Sequence, residues 1–378
     1  MSAITVDGDL VHYEVLGRGG RPVVLLHGWL GSWRYWIPTM RQLQLKYRVY
    51  ALDLFGYGDS GKNPAKYSLQ SQVRLLEEFM LQLGIPKVAL IAHGYGTQVA
   101  INYASHHPDR VARMMLSSTP LFDPGDLATR VPPVRLQALT TPNVVNTFDK
   151  TVPAGSSASR PAPVGVEEDS AATLPSALRE TIRNPNTINR EALKRAAAYL
   201  AEQRKAAEDG QQESVSVQSA IPPAPQLPPL PSDYDDTDNQ LRKYLTAEPE
   251  ALLNICFKKT EPEYEKLQQD IAKGDNKALE IATRGYDAGH MVDALRVLPM
   301  PIMMLHGEQD PLLPAPSEAI WDYITEDKED QLVPIPLANV RHFPMLEYES
   351  FQRLIGQFLE QPDISKIETK ERWRRRSR

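Results

Sequence analysis

The chain has a single cysteine, Cys256, in 378 residues. No disulfide can form within it, which excludes the disulfide-stapled class of secreted domains. Long apolar runs are also missing. The longest, such as Val23–Leu26 and Val88–Ala92, fall far short of the ~20 residues that cross ~30 Å of hydrocarbon, so no transmembrane segment is expected. No basic-then-apolar leader precedes the first strand pattern, and with the lone cysteine this points to a reducing, cytoplasmic setting. An excess of positive charge is absent as well: the formal net charge is -6. The body of the protein therefore offers no general attraction to nucleic acid or to an anionic membrane, and no nucleic-acid partner is expected. His106, His107, His290 and His306 form no metal-ligand spacing, and no metal or other cofactor is expected.

What is present is a regular alternation. Over the first 120 residues short apolar runs alternate with helical patterns, the signature of strand-helix-strand units in a parallel sheet. Strands are expected at Val11–Val15, Pro22–Leu26, Tyr47–Leu52, Lys87–Ala92 and Val111–Leu116, with helices at Trp33–Leu45 and Gln98–His106. Between them Leu69, Val73, Leu76, Met80 and Leu83 recur at three- and four-residue steps, with Ser68 placed to cap that helix and Gly84 to end it.

After Pro120 the character changes. Fourteen of the 32 prolines lie between Pro132 and Pro231, including the run IPPAPQLPPLP, where repeated proline forbids regular helix and favours an extended form. That run reads as a spacer, the sharper alternative being a ligand for an aromatic groove on a partner. Flexible segments near 151–175 and 210–237 flank a helical island at Arg190–Ala207. Helical patterning returns from Asp238 to Leu298, where Leu252, Leu253, Ile255, Phe257 and Tyr286 are candidates to line a cavity or to pack. Strands follow at Ile302–Leu305 and Gln331–Ile335, and helices at Ser317–Thr325 and Ser350–Leu359. The expected organisation is thus a core at 1–120 and 299–361, interrupted by a helical cap or lid at 121–298 that is too long for an ordinary loop. The basic tail at 362–378 reads as solvated, or as a contact to an anionic membrane surface or a protein.

Five motifs then fall in order. LLHGWLGS (25–32) follows a strand, ALDLFGYGDSG (51–61) follows another, and ALIAHGYGTQVA (89–100) joins a strand to a helix; MMLHGEQDPLLP (303–314) and NVRHFPMLE (339–347) follow the last two strands. In this the chain resembles the α/β-hydrolase superfamily, over 1–120 and 299–361. The resemblance implies an α/β fold with a mostly parallel sheet flanked by helices. It also implies an oxyanion hole from the backbone amides of Trp29 and Tyr95, a catalytic acid at Asp310 and a base at His342, with a sharp strand-to-helix turn supported by Ala92, His93 and Gly96. A carboxylate on one ring nitrogen fixes the histidine tautomer and stabilises the imidazolium formed when the other nitrogen takes a proton. Taken singly, Asp310 reads as a turn cap and His342 as a loop histidine; their joint placement behind the last two strands favours the paired reading.

The turn departs from the pattern at its centre. Where a Ser, Asp or Cys nucleophile would stand there is Gly94. Moving the register to His93 or Tyr95 puts large residues where close packing needs small ones, and Ser32, Ser60, Ser117 and Ser118 sit on no small-x-Ser-x-small turn. A covalent enzyme intermediate is therefore not expected. Three readings stay open. One is a hydrolase-like enzyme, or a lyase or oxygenase of dyad-dependent type, acting on a small hydrophobic molecule. The others are a pseudoenzyme that binds such a ligand, and an interaction protein working through the cap, proline run and tail. Substrate and oligomeric state are not specified by the sequence.

Overall fold

The computed structural model describes residues 2–131, 133, 239–246, 248–328 and 330–367, all within one compact unit. The proline run, the helical island and most of the basic tail lie outside these residues.

Eight strands form one sheet in the order β1-β2-β4-β3-β5-β6-β7-β8. They are β1 (Ser2–Val6), β2 (Asp9–Leu16), β3 (Arg21–Leu26), β4 (Tyr47–Leu52), β5 (Val88–His93), β6 (Val111–Ser117), β7 (Ile302–Gly307) and β8 (Leu332–Leu337). β1–β2 and β2–β4 pair antiparallel, and every other pairing is parallel. The parallel sheet expected from the alternating pattern is the sheet observed. β5, VALIAH, is buried at all six positions, as a central parallel strand covered on both faces must be. β1 is an addition to the expected strands: at five residues it is too short to announce itself, and it pairs with β2 across a tight turn at Asp7 and Gly8.

The helices of the core are α1 (Ile37–Leu43), α2 (Leu69–Gln82) and α3 (Tyr95–His106). Ser68 caps α2 by accepting the Ser71 amide. The single helix expected over 33–45 is divided into a 3-10 turn at Trp33–Trp36 and α1, because Pro38 has no amide hydrogen and stands in the first turn of α1. Between β6 and β7 in the sequence lie α4 (Gln240–Tyr244), α5 (Pro249–Cys256), α6 (Pro262–Lys273), α7 (Asn276–Thr283) and α8 (Ala288–Val297). The chain closes with α9 (Glu318–Thr325) after β7, then α10 (Pro344–Glu347) and α11 (Phe351–Glu360) after β8. The short α10 had no sequence period to announce it. No helix among the described residues is long and apolar enough to cross a membrane.

Strand order reverses around β3: the chain moves to β4 on one side and returns to β5 on the other. In open α/β sheets, crevices for ligands form at such a switch point, outside the carboxyl ends of the strands. The register makes those ends level, with Leu26 opposite Ala92, His93 opposite Ser117, and Ser117 opposite Leu305. The segments following β3, β5, β6, β7 and β8 therefore meet at one edge.

Candidate active site

The turn after β5 is built by close approach. Gly94 has φ +50° and ψ -115°, a conformation that costs an L-residue about 1–3 kcal/mol and glycine little. Its amide donates to the Ser117 carbonyl at 2.9 Å, and the Gly96 amide donates to the His27 carbonyl at 3.0 Å. A Cβ at residue 96 would stand 2.8 Å from that same carbonyl, so helix α3 meets strand β3 at this distance only with glycine there. Ala92 is fully buried on the preceding strand.

Asp310 and His342 come together although they are carried by different loops. His342 Nδ1 lies 2.9 Å from Asp310 Oδ2 and 3.1 Å from Oδ1, and both side chains are wholly buried. Asp310 Oδ1 also accepts the Leu312 and Leu313 amides at 2.9 and 3.1 Å. Burial alone raises the Asp310 carboxyl, but the His342 ring and the two amides outweigh it and hold the group below the usual carboxylate range. An ionised carboxylate only accepts, so Nδ1 carries the proton and Nε2 bears the lone pair in the neutral ring. That Nε2 is buried with no hydrogen-bond partner among the described residues.

No sequence pattern points to the Trp29 side chain. Its backbone was the expected point of interest, yet its indole stacks on His342, with ring centroids 6.4 Å apart, and on Tyr95 at 6.2 Å. A Cβ at residue 94 would lie 3.0 Å from two atoms of this ring. The space a nucleophile would enter is therefore bordered by indole. The cavity that Trp29 shares with Tyr57 has a volume of about 10 Å³, room for about one water.

His93 proves to be wired as well as packed. Its Nε2 stands 2.8 Å from the His342 carbonyl, an atom that only accepts, so Nε2 bears the hydrogen and Nδ1 is an acceptor. Tyr35 Oη, 3.0 Å from that Nδ1, must then donate to it, while accepting the Gly28 amide at 2.6 Å. Burial, with the neighbouring His342 ring, holds His93 well below its ordinary value and thus neutral. One chain of hydrogen bonds thus joins the loop after β3 to the loop carrying His342. Ser118, with φ +49°, donates to the same His342 carbonyl at 2.8 Å. Tyr35 and Ser118 were not singled out for this; the aromatic cluster WRYW right after the glycine loop was the available signal for Tyr35.

The remaining serines are structural here. Ser32 caps the 3-10 turn, Ser60 donates to the Asp53 carbonyl and Ser117 to the Ala92 carbonyl. Cys256 is buried, and burial pushes its thiol up, so it is no thiolate at neutral pH. His12, Asp53 and Asp59 bring ligand atoms within 4.8 Å of one another. Asp53 already accepts the Trp33 and Asp59 amides and faces His12, while Asp59 is paired with Arg34 and Lys273. That pattern is a hydrogen-bonded turn rather than an open ligand set.

The order of the strands, the glycine-centred turn after β5, and the acid and histidine after β7 and β8 can now be set beside known proteins. A family model for the alpha/beta hydrolase fold matches residues 21–325. The chain belongs to this family. Among curated relatives, a soluble epoxide hydrolase from a Corynebacterium species is 35% identical over 111 residues, 29% of this chain and 38% of that protein. A haloalkane dehalogenase from Agrobacterium fabrum is 38% identical over 92 residues, 24% of this chain and 30% of the dehalogenase. The match thus spans well under half of either relative's length. The crystal structure of an esterase from a Rhodococcus species aligns with TM-score 0.53 and 17% identity, covering 94% of this chain and 97% of the esterase, a likeness of fold. Within this α/β-hydrolase fold, α4 to α8 stand between β6 and β7 in the sequence.

Proposed function

We propose that this α/β-hydrolase-fold protein is a hydrolase-like enzyme acting on a small hydrophobic molecule without a covalent enzyme intermediate. His342 is the general base, Asp310 orients it, and the Trp29 and Tyr95 backbone amides receive the oxyanion. In the reaction His342 Nε2 takes a proton from water as the water oxygen bonds to an electrophilic carbon of the substrate. The negative charge that develops on the substrate oxygen is met by the two amides, and the imidazolium returns its proton to the leaving atom. The helical insertion acts as the cap over this site, with the core at 1–120 and 299–361. A single cysteine supports a cytoplasmic setting.

One observation carries this reading: a fully buried carboxylate–imidazole pair whose second ring nitrogen has no hydrogen-bond partner among the described residues. Leaving a buried polar atom unpaired costs about 1–3 kcal/mol, a cost that has a purpose where that atom receives a proton. The relatives' names, an epoxide hydrolase and a haloalkane dehalogenase, support a small-molecule substrate with an electrophilic carbon.

A second reading, a catalytically inactive ligand-binding protein, is favoured by the Trp29 indole, which borders the place at Gly94 where a nucleophile would stand. Turnover separates the two. Hydrolysis of small activated esters, lactones and epoxides is compared between the wild type, His342→Ala and Asp310→Asn. The enzyme reading expects a fall of about 10²–10⁴-fold in kcat/KM for His342→Ala. Equal rates in all three proteins, with an apolar ligand raising Tm in each, would replace it with the binding reading.

A further inference from the structure

Helix α6 is fastened to the core towards both ends. At its start Glu261 forms a two-pronged pair with Arg341, the residue before His342. Towards its end Asp270 and Lys273 join a cluster with Arg34 and Asp59. Between these fastenings, beside α1, lies a cavity of about 560 Å³ whose lining includes none of Gly94, Trp29, Asp310 or His342. That volume falls within the range of small-molecule sites.

Its lining combines apolar and charged side chains. Leu267 and Met345 are buried and Ile37 and Leu346 half-buried, whereas Arg41 and Lys266 are exposed. Arg34, Lys273 and Asp270 at the wall are already in the ion pairs just described. Among the described residues neither Arg41 nor Lys266 has a carboxylate within ion-pair distance, and the half-buried Glu263 has no cation within it. Two cations against one carboxylate leave the free charge positive.

We propose that this cavity binds an amphipathic anion, a free medium-chain carboxylate, with the alkyl chain against Leu267, Met345 and Ile37 and the head group between Arg41 and Lys266. An apolar interior holds the chain by removing its surface from water, and the two cations select its charge. Glu263 opposes them and sets a limit on head groups bearing several negative charges.

Titration calorimetry of the full chain with decanoate, decanol and acetate tests this. Decanoate is expected to bind one to one, decanol about tenfold more weakly, and acetate not at all. The double variant Arg41→Glu/Lys266→Glu, confined to exposed side chains, is expected to weaken decanoate at least as much, and His342→Ala to leave it unchanged. Failure of decanoate to bind, equal binding of decanol, or indifference to the double variant overturns the proposal. Loss of binding in His342→Ala would place the ligand at the dyad instead, whether or not the dyad is catalytic.

Discussion

The Tyr35 hydroxyl has one proton to give and lone pairs to receive one, and both uses are committed, to His93 Nδ1 and from the Gly28 amide. Removing it strands two buried polar atoms at once. Tyr35→Phe is therefore expected to lose about 1–3 kcal/mol in urea unfolding at neutral pH. Tyr57→Phe is the control, since the Tyr57 hydroxyl is buried without a partner among the described residues, and its removal should be neutral or stabilising. Equal losses in the two variants would mean that the Tyr35–His93 chain contributes nothing. At this scale the sequence was partly legible. The motif order was enough to single out Asp310 and His342 as a pair, because each follows one of the last two strands. The Trp29 indole and the Tyr35 hydroxyl were not legible, because ring orientation depends on contacts among three loops distant in sequence.

Among the elements, α6 shows how ion pairs of low individual worth act together. Burial raises the Asp59 carboxyl, but Lys273 and Arg34 outweigh it and bring it down to about 2. Asp270, with a side chain only 4% exposed, is raised by burial against the lowering effects of Ser32 and Arg34. It depends on Ser32 and Arg34 for its compensation, and of the two only Arg34 brings a charge. Arg34→Ala should cost about 1.5–3 kcal/mol, the range for hydrogen bonds to charged groups. The loss should be local: amide exchange in α6 quickens while β5 remains protected. Unchanged protection of α6 would show that its apolar face alone holds it. The strand and helix pattern of the core was readable because β5 is apolar from Val88 to Ala92 and α2 repeats at helical steps. The break at Pro38 and the edge strand β1 were not, since one depends on a single ring and the other on pairing with β2.

Across the whole molecule the histidines set the response to acid. His27, His93, His107, His290 and His306 are all lowered, burial being the first cause in each, whereas His12 is raised by its hydrogen bond to Asp53. A histidine lowered in the folded state binds fewer protons than the unfolded chain once the pH falls below about 6.5. Its contribution is complete above that value and declines as the pH drops. His12 works in the opposite sense, adding stability below about 6.5 that fades as the pH rises through its folded value. Five against one, the urea midpoint should fall between about pH 7.5 and about pH 5.5; a midpoint that rises would mean His12 dominates.

The absence of a nucleophile at the turn after β5 is tested most directly by intact-mass analysis after exposure to a fluorophosphonate. Gly94→Ser places a hydroxyl beside the Trp29 ring at a backbone cost of about 1–3 kcal/mol, with the indole retreating slightly to admit it. The wild type should gain no adduct and the folded variant should gain one. An adduct on the wild type, or a folded Gly94→Ser protein that stays unmodified, would contradict an idle turn set beside a poised histidine.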